Sequence, residues 1–162
     1  SEADEYGFSS FFYQARRPFH PGRLMALFEA DDRFDKVVRS KGIAWLATRN
    51  DQVGEWGHAG SVFSLDCAGF WAAATPEEEW PEEEEIVQEI RQIWQEPWGD
   101  RRTELVLIGR NFDHEVVRQA LDECLVTAEE FAQGETLWSS FPDAFPEWTS
   151  IAEDDEAEES PV

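Results

Sequence analysis

The sequence predicts a single α+β domain, a mainly antiparallel β-sheet with helices packed on one face. Three observations predict it. Short apolar or aromatic runs of strand length are separated by polar, Gly-containing joints. Capped segments of helical period are interspersed with them. The length, 162 residues, suffices for one ordinary core and is short for two.

The elements follow in order. Phe8–Gln14 is aromatic and strand-like. Pro21 suits the first position of a short helix to about Ala30, with Leu24, Leu27 and Phe28 on one face. Ile43–Thr48 predicts a strong short strand. Ser61–Leu65 and Phe70–Ala74 predict two more, joined as a hairpin through Asp66-Cys67-Ala68-Gly69. Pro81 opens a helix whose Glu82–Glu85 turn complements the positive dipole end. Ile86, Val87, Ile90, Ile93 and Trp94 form its expected buried stripe, and Pro97 and Gly99 stop it.

Glu104–Ile108 is an apolar strand ending at Gly109. Asp113 caps a helix turning Val116, Val117, Ala120, Leu121 and Cys124 inward. Thr127, with Glu130 three residues on, forms the capping box of a last short helix ending near Gly134. The predicted order is β-α-β-β-β-α-β-α-α, with no internal repeat.

Charge narrows the function. Lys and Arg total 13 against 36 Asp and Glu, a formal net charge of −23. A phosphate-backbone binder needs a basic face to release counterions, so nucleic acid is excluded as a partner class, and an anionic membrane surface likewise. The apolar fraction of 41%, with 8 Trp and 12 Phe, is enough to build a core.

Seven Glu fall within residues 77–85, and six acids occupy seven positions in 153–159. The latter run predicts a disordered acidic tail over 149–162, and residues 1–5 read as a loose N-terminal lead-in. The domain is expected over 6–148. Two distant cysteines, Cys67 and Cys124, sit in small or apolar surroundings and read as free structural thiols in a reducing compartment. With no secretory h-region and no run of 18 apolar residues, the expectation is a cytoplasmic protein.

Four groups of residues merit weighing for chemistry. Arg16, Arg17, His20 and Arg23 surround the expected N-terminus of the first helix, where free backbone N–H groups attract anions. They read either as a docking point for a carboxylate or phosphate, or as partners of the domain's own acids, with His20 as an N-cap or packed imidazole. His58 lies between glycines in Trp56-Gly57-His58-Ala59-Gly60. It would need partners such as His20, His114 or Cys67 to hold a metal, and none stands at local ligand spacing. Arg101 and Arg102 precede the apolar strand and either bridge neighbouring acids or meet a partner. The Glu run is a solvated turn, or a weak buffer of hard cations. No phosphate-binding loop, nucleophile elbow, zinc-protease helix or dinucleotide fingerprint occurs.

Three segments, in order and spacing, resemble the C-terminal domain of the CobW family of P-loop GTPases, which includes zinc metallochaperones and metalloenzyme activators. They are Arg16-Arg17-Pro18-Phe19-His20-Pro21 with Arg23-Leu24, Arg39-Ser40-Lys41 through Trp45 to Arg49, and Asp100-Arg101-Arg102 with Glu104–Gly109. The likeness extends to Trp56–Gly60, Ala120–Leu125 and Phe145-Pro146-Glu147-Trp148.

The resemblance implies a non-catalytic regulatory and client-docking domain, whose partners are an N-terminal GTPase domain and a client apo-metalloenzyme. GTP, Mg and Zn (or Co) belong to that GTPase domain, and this chain carries none of their motifs. Some family members place a His-rich stretch where Thr75–Glu85 is Glu-rich here. Arg17, His20, Arg39, Lys41 and Arg102 are the matched residues available for internal pairing or for contact with the GTPase domain. The rival readings are direct metal capture by His20, His58 and Cys67, and a free-standing acidic protein-interaction domain.

Overall fold

The structure, a computed structural model, describes residues 6–148. The expected lead-in (1–5) and acidic tail (149–162) lie outside the described residues. In chain order the elements are β1 (Phe8–Ala15), α1 (Pro21–Ala30), β2 (Val37–Ala44), β3 (Gln52–Ala59), β4 (Val62–Phe70), α2 (Glu84–Ile93), β5 (Thr103–Arg110), α3 (His114–Asp122), α4 (Ala128–Gln133) and α5 (Glu135–Trp138). The strands form one sheet in the order β1-β5-β2-β3-β4, every neighbouring pair antiparallel. The α+β class and its antiparallel sheet are as the sequence predicts.

Local chemistry sets most of the helix ends. Pro21 stands at the first helical position of α1, and the His20 imidazole accepts from Arg23 N to cap it. Asp113 accepts from the Glu115 and Val116 amides at the start of α3, and Thr127 with Glu130 closes the expected capping box on α4.

The core forms where α1 and α3 lie on one face of the sheet. Phe11 and Tyr13 of β1, Leu105 and Leu107 of β5 and Trp56 of β3 meet Leu24, Leu27, Val117 and Leu121. Tyr13 also donates to Asp122 at 2.7 Å, tying β1 to α3. A second cluster at one end of the sheet gathers Trp45, Ala47, Trp71, Val126 and Trp138. The Trp138 indole donates to Glu130 O, so this aromatic group is satisfied while fully buried.

Three expectations are corrected. The strand placed at Ile43–Thr48 ends at Ala44. Beyond it the chain leaves the sheet as Phe19 exchanges backbone bonds with Trp45 and Ala47, sending Trp45 into the second cluster. The hairpin placed at Asp66–Gly69 is the interior of β4. Its true turn is at Gly60, where φ is +63°, and its partner is β3, a strand the sequence reading missed. The register shift between Val53 and Gly54 takes up one extra residue there as a bulge. Finally, α2 starts at Glu84 rather than at Pro81, and none of its residues is buried.

The Arg23–Glu130 pair adds a pH dependence. Two hydrogen bonds from Arg23, at 2.7 and 3.0 Å, hold the Glu130 carboxyl down at about 2, with the Thr127 amide assisting. A depressed carboxyl stabilises the fold above its unfolded value and loses that contribution as pH falls towards the folded one. Glu130→Gln should therefore cost about 1–2 kcal/mol at neutral pH, discounted for partial exposure. Chemical denaturation of the two proteins should converge between pH 4.5 and pH 2, within the window set by that shift. A gap that persists at pH 2 would mean that the pair contributes through packing rather than charge.

Candidate functional site

Period-2 alternation gives the sheet two faces. The inner face lies against α1 and α3. No helix of the described residues covers the outer face, which carries Phe12 of β1, Arg39 and Lys41 of β2, Glu55 of β3, Val62 and Asp66 of β4, and Val106 and Ile108 of β5. Much of it forms a shallow trough of about 820 Å³. Val62 is 68% exposed and Val106 43%, with Ile108 on the same strand as Val106 also exposed, so this face leaves apolar side chains open on both sides of the β2 cations.

Its electrostatics are polarised. Arg39 sits across from Ile108 and Ala59, and Lys41 across from Val106 and Gly57. Among the described residues neither cation makes a side-chain hydrogen bond or ion pair, although the chain carries 36 acids. Across the neighbouring ladder Glu55 stands directly opposite Asp66, two like charges on one face. Glu104, which also lines the trough, is held by Arg102. The face thus offers two unspent cations on the central strand, aliphatic surface beside them and a carboxylate pair beyond. Such a pattern is chemically suited to meeting another surface by shape and charge.

The other candidate cations, Arg17 apart, are spent inside the domain. Arg16 donates to Gly99 O at 3.1 Å, to Arg101 O and to Ile93 O, clamping the segment after α2. Arg23 is engaged by Glu130 and Leu125 O. Arg101 is buried and donates to Asn50 O at 2.7 Å and towards Asp51. Arg102 donates to Asp100 O as well as to Glu104. Arg17 is half-buried and makes no side-chain hydrogen bond among the described residues.

The fold does not gather His20, His58 and Cys67 into a ligand set. His20 Nδ1 accepts the Arg23 amide, and burial beside Arg23 holds the ring below the usual imidazole range. His58 is locked by a satisfied chain: Trp56 Nε1 donates to Ser40 Oγ, whose hydroxyl donates to His58 Nδ1, while Nε2 donates to Gly60 O at 2.7 Å. This pattern fixes a neutral ring, which burial favours and which leaves no lone pair for a metal. Cys67 donates weakly to Gly69 O from β4. Both cysteines are free, and burial pushes the Cys124 thiol up to about 12. Among the described residues no group of three or more His, Cys, Asp or Glu is arranged to hold a metal ion, and no helix is long and apolar enough to cross a membrane.

Sequence reasoning picked out Arg39 and Lys41 but missed the apolar half of the face. Leu105-Val106-Leu107-Ile108 is a continuous apolar run, the signature of a strand covered on both sides. The available signal was that one neighbour, β2, carries charge at alternate positions, Arg39 and Lys41.

A family model described as the cobalamin synthesis protein CobW C-terminal domain matches residues 8–125. The zinc-regulated GTPase metalloprotein activator 1 of Dictyostelium discoideum is 38% identical over 144 residues, 88% of this chain and 30% of that protein. A zinc chaperone of Mycobacterium tuberculosis is 35% identical over 139 residues, 84% of this chain and 34% of that protein. The solved structure of the Zn(II)-bound YjiA GTPase from E. coli shares the fold with a TM-score of 0.51 at 16% identity, over 77% of this chain and 32% of that one. The chain spans about a third of the length of these relatives.

Proposed function

Because the chain belongs to the family of CobW C-terminal domains, we propose that it is the regulatory and client-docking domain of a GTP-dependent metallochaperone and performs no catalysis itself. The observation that carries this reading is the bare sheet face, where Arg39 and Lys41 stand unpaired among the described residues beside exposed Val106 and Ile108. Zinc or cobalt is cargo in this reading, held with GTP and Mg by a GTPase portion whose motifs this chain lacks.

In mechanism, the two nucleotide states of the GTPase portion contact the bare face differently. Nucleotide exchange then shifts the population between a covered and an exposed face, and the exposed one receives the client apo-metalloenzyme. A state can be shifted only by a difference in contact energy, so the face must bind one nucleotide form more tightly than the other.

The test is to produce the GTPase portion and this chain separately and mix them. A complex is expected whose affinity changes by about tenfold between GDP and a non-hydrolysable GTP analogue. Joining the two should alter nucleotide affinity or hydrolysis by a similar factor. No complex, with both parameters indifferent to fusion, would sink the reading.

A further inference from the structure

The helix α2 is a second surface, unrelated to the bare sheet face. It makes only glancing contact with any other helix or strand, yet its base is firmly held. Arg16 grips Ile93 O, the Asp100 carboxylate accepts from the Ala72 and Ala73 amides at 2.9 Å, and Trp80 packs on Trp94. A rigidly mounted helix therefore presents an apolar stripe that the domain covers only in part: Ile86 is 39% exposed, and Ile90 and Ile93 are half-buried.

The stripe has a particular spacing. Ile86, Ile90 and Ile93 step by four residues and then by three, the interval at which one helix seats its knobs against another. Glu89 borders the seam on the helix, and Glu82 stands in the turn just ahead of the first helical residue. Over residues 77–96 the chain carries nine Glu against one basic residue, Arg91, and that residue already pairs with Glu77 and lies over the Trp80 ring. No cation of this segment remains to neutralise the rim.

We propose that the Ile86–Ile90–Ile93 seam of α2 is a docking site for a basic amphipathic helix of a partner protein. Such a helix would place its apolar knobs on the isoleucines and its Lys or Arg side chains against Glu82 and Glu89. Charge decides among occupants. A second copy carries the same formal charge of −23 and is repelled, and both terminal segments of this chain are themselves acidic. Only a cationic partner satisfies seam and rim together.

The probe is a synthetic peptide of about three heptads built from Leu and Lys, with Leu at the seam positions. The full chain should bind it, and bind a scrambled peptide of the same composition about tenfold more weakly, because scrambling keeps the charge and destroys the seam. Ile86→Ser with Ile90→Ser leaves the net charge unchanged and should weaken binding by about tenfold or more. Its circular dichroism and melting temperature should match the parent, since neither residue is in the core. Glu82→Gln with Glu89→Gln should flatten the salt dependence of binding.

Equal binding of the two peptides, or indifference to the isoleucine substitutions, would reduce the effect to charge attraction and overturn the proposal. Self-association of the chain that the isoleucine substitutions abolish would assign the seam to a second copy instead. Displacement of the peptide by the GTPase portion would assign it to an intramolecular contact. Either outcome overturns the proposal without touching the reading of the sheet face.

Discussion

Gly42→Ala is expected to cost about 3 kcal/mol or more and to be the most damaging single methyl group in the sheet. Gly42 lies near the middle of β2, opposite Leu105 on one side and Trp56 on the other. Its φ is +152°, a value that L side chains rarely adopt, and a Cβ there would stand 2.0 Å from the backbone oxygen of Glu104. That neighbour is part of the β2–β5 ladder and cannot swing aside as a side chain would. The strands must separate or slip, and Arg39 and Lys41 lie on the strand that moves. Gly60→Ala separates strain from collision. Its φ is +63°, but a Cβ there meets nothing within 4 Å, so only the left-handed conformation is penalised, at about 1 kcal/mol. Urea denaturation of both variants distinguishes them. Equal losses would mean that β2 relaxes around the methyl group and that Gly42 serves no purpose of close approach.

How much could be read beforehand depended on whether the deciding interaction was local. Pro21, Asp113 and the Thr127–Glu130 pair act on their own helix ends, and those helices fall where the sequence predicts. β3 was invisible because Gln52–Ala59 alternates Trp56 and His58 with Glu, Gly and Ala and lacks a β-branched run. The small and turn-forming residues of Asp66–Gly69 mimic a turn. Up to α4 the order of elements is the predicted one, but the middle strands lie on partly different segments. The strand expected at Phe70–Ala74 gives way to a 3-10 turn at Ala72–Ala74, and α5 was not foreseen. For α2, the period correctly announces an apolar stripe, but amphipathicity says nothing of what covers it.

The site divided in the same way. Arg16, Arg23 and Arg101 looked as available as Arg39 and Lys41, because their acceptors lie 83, 107 and 51 residues away and only the fold brings them together. Resemblance to a family named Arg39 and Lys41 alongside Arg17, His20 and Arg102, without ranking them. Topology decides which of these have no partner among the described residues.

Reversing those two cations should separate docking from folding. Arg39→Glu with Lys41→Glu changes no buried contact, since both side chains are exposed and unpaired among the described residues, and the melting temperature should stay within about 2 °C of the parent. Against the GTPase portion the loss should be large, about a hundredfold in affinity, because an attractive pair of charges becomes a repulsive one at the centre of the contact. Part of that loss should appear in the association rate, and raising salt should narrow the gap between variant and parent. Reversal of Arg118, on α3 under the opposite face, adds negative charge without touching the bare face and sets the background. The Arg118 reversal changes the charge by −2 and the double reversal by −4. If the first weakens the complex by half as much as the second on a logarithmic scale, net charge alone is responsible and the bare face is not the contact. If the double reversal alone weakens it, the next substitution is Val106→Asp, which should deepen the loss by burying an unpaired carboxylate beside the sites of Arg39 and Lys41.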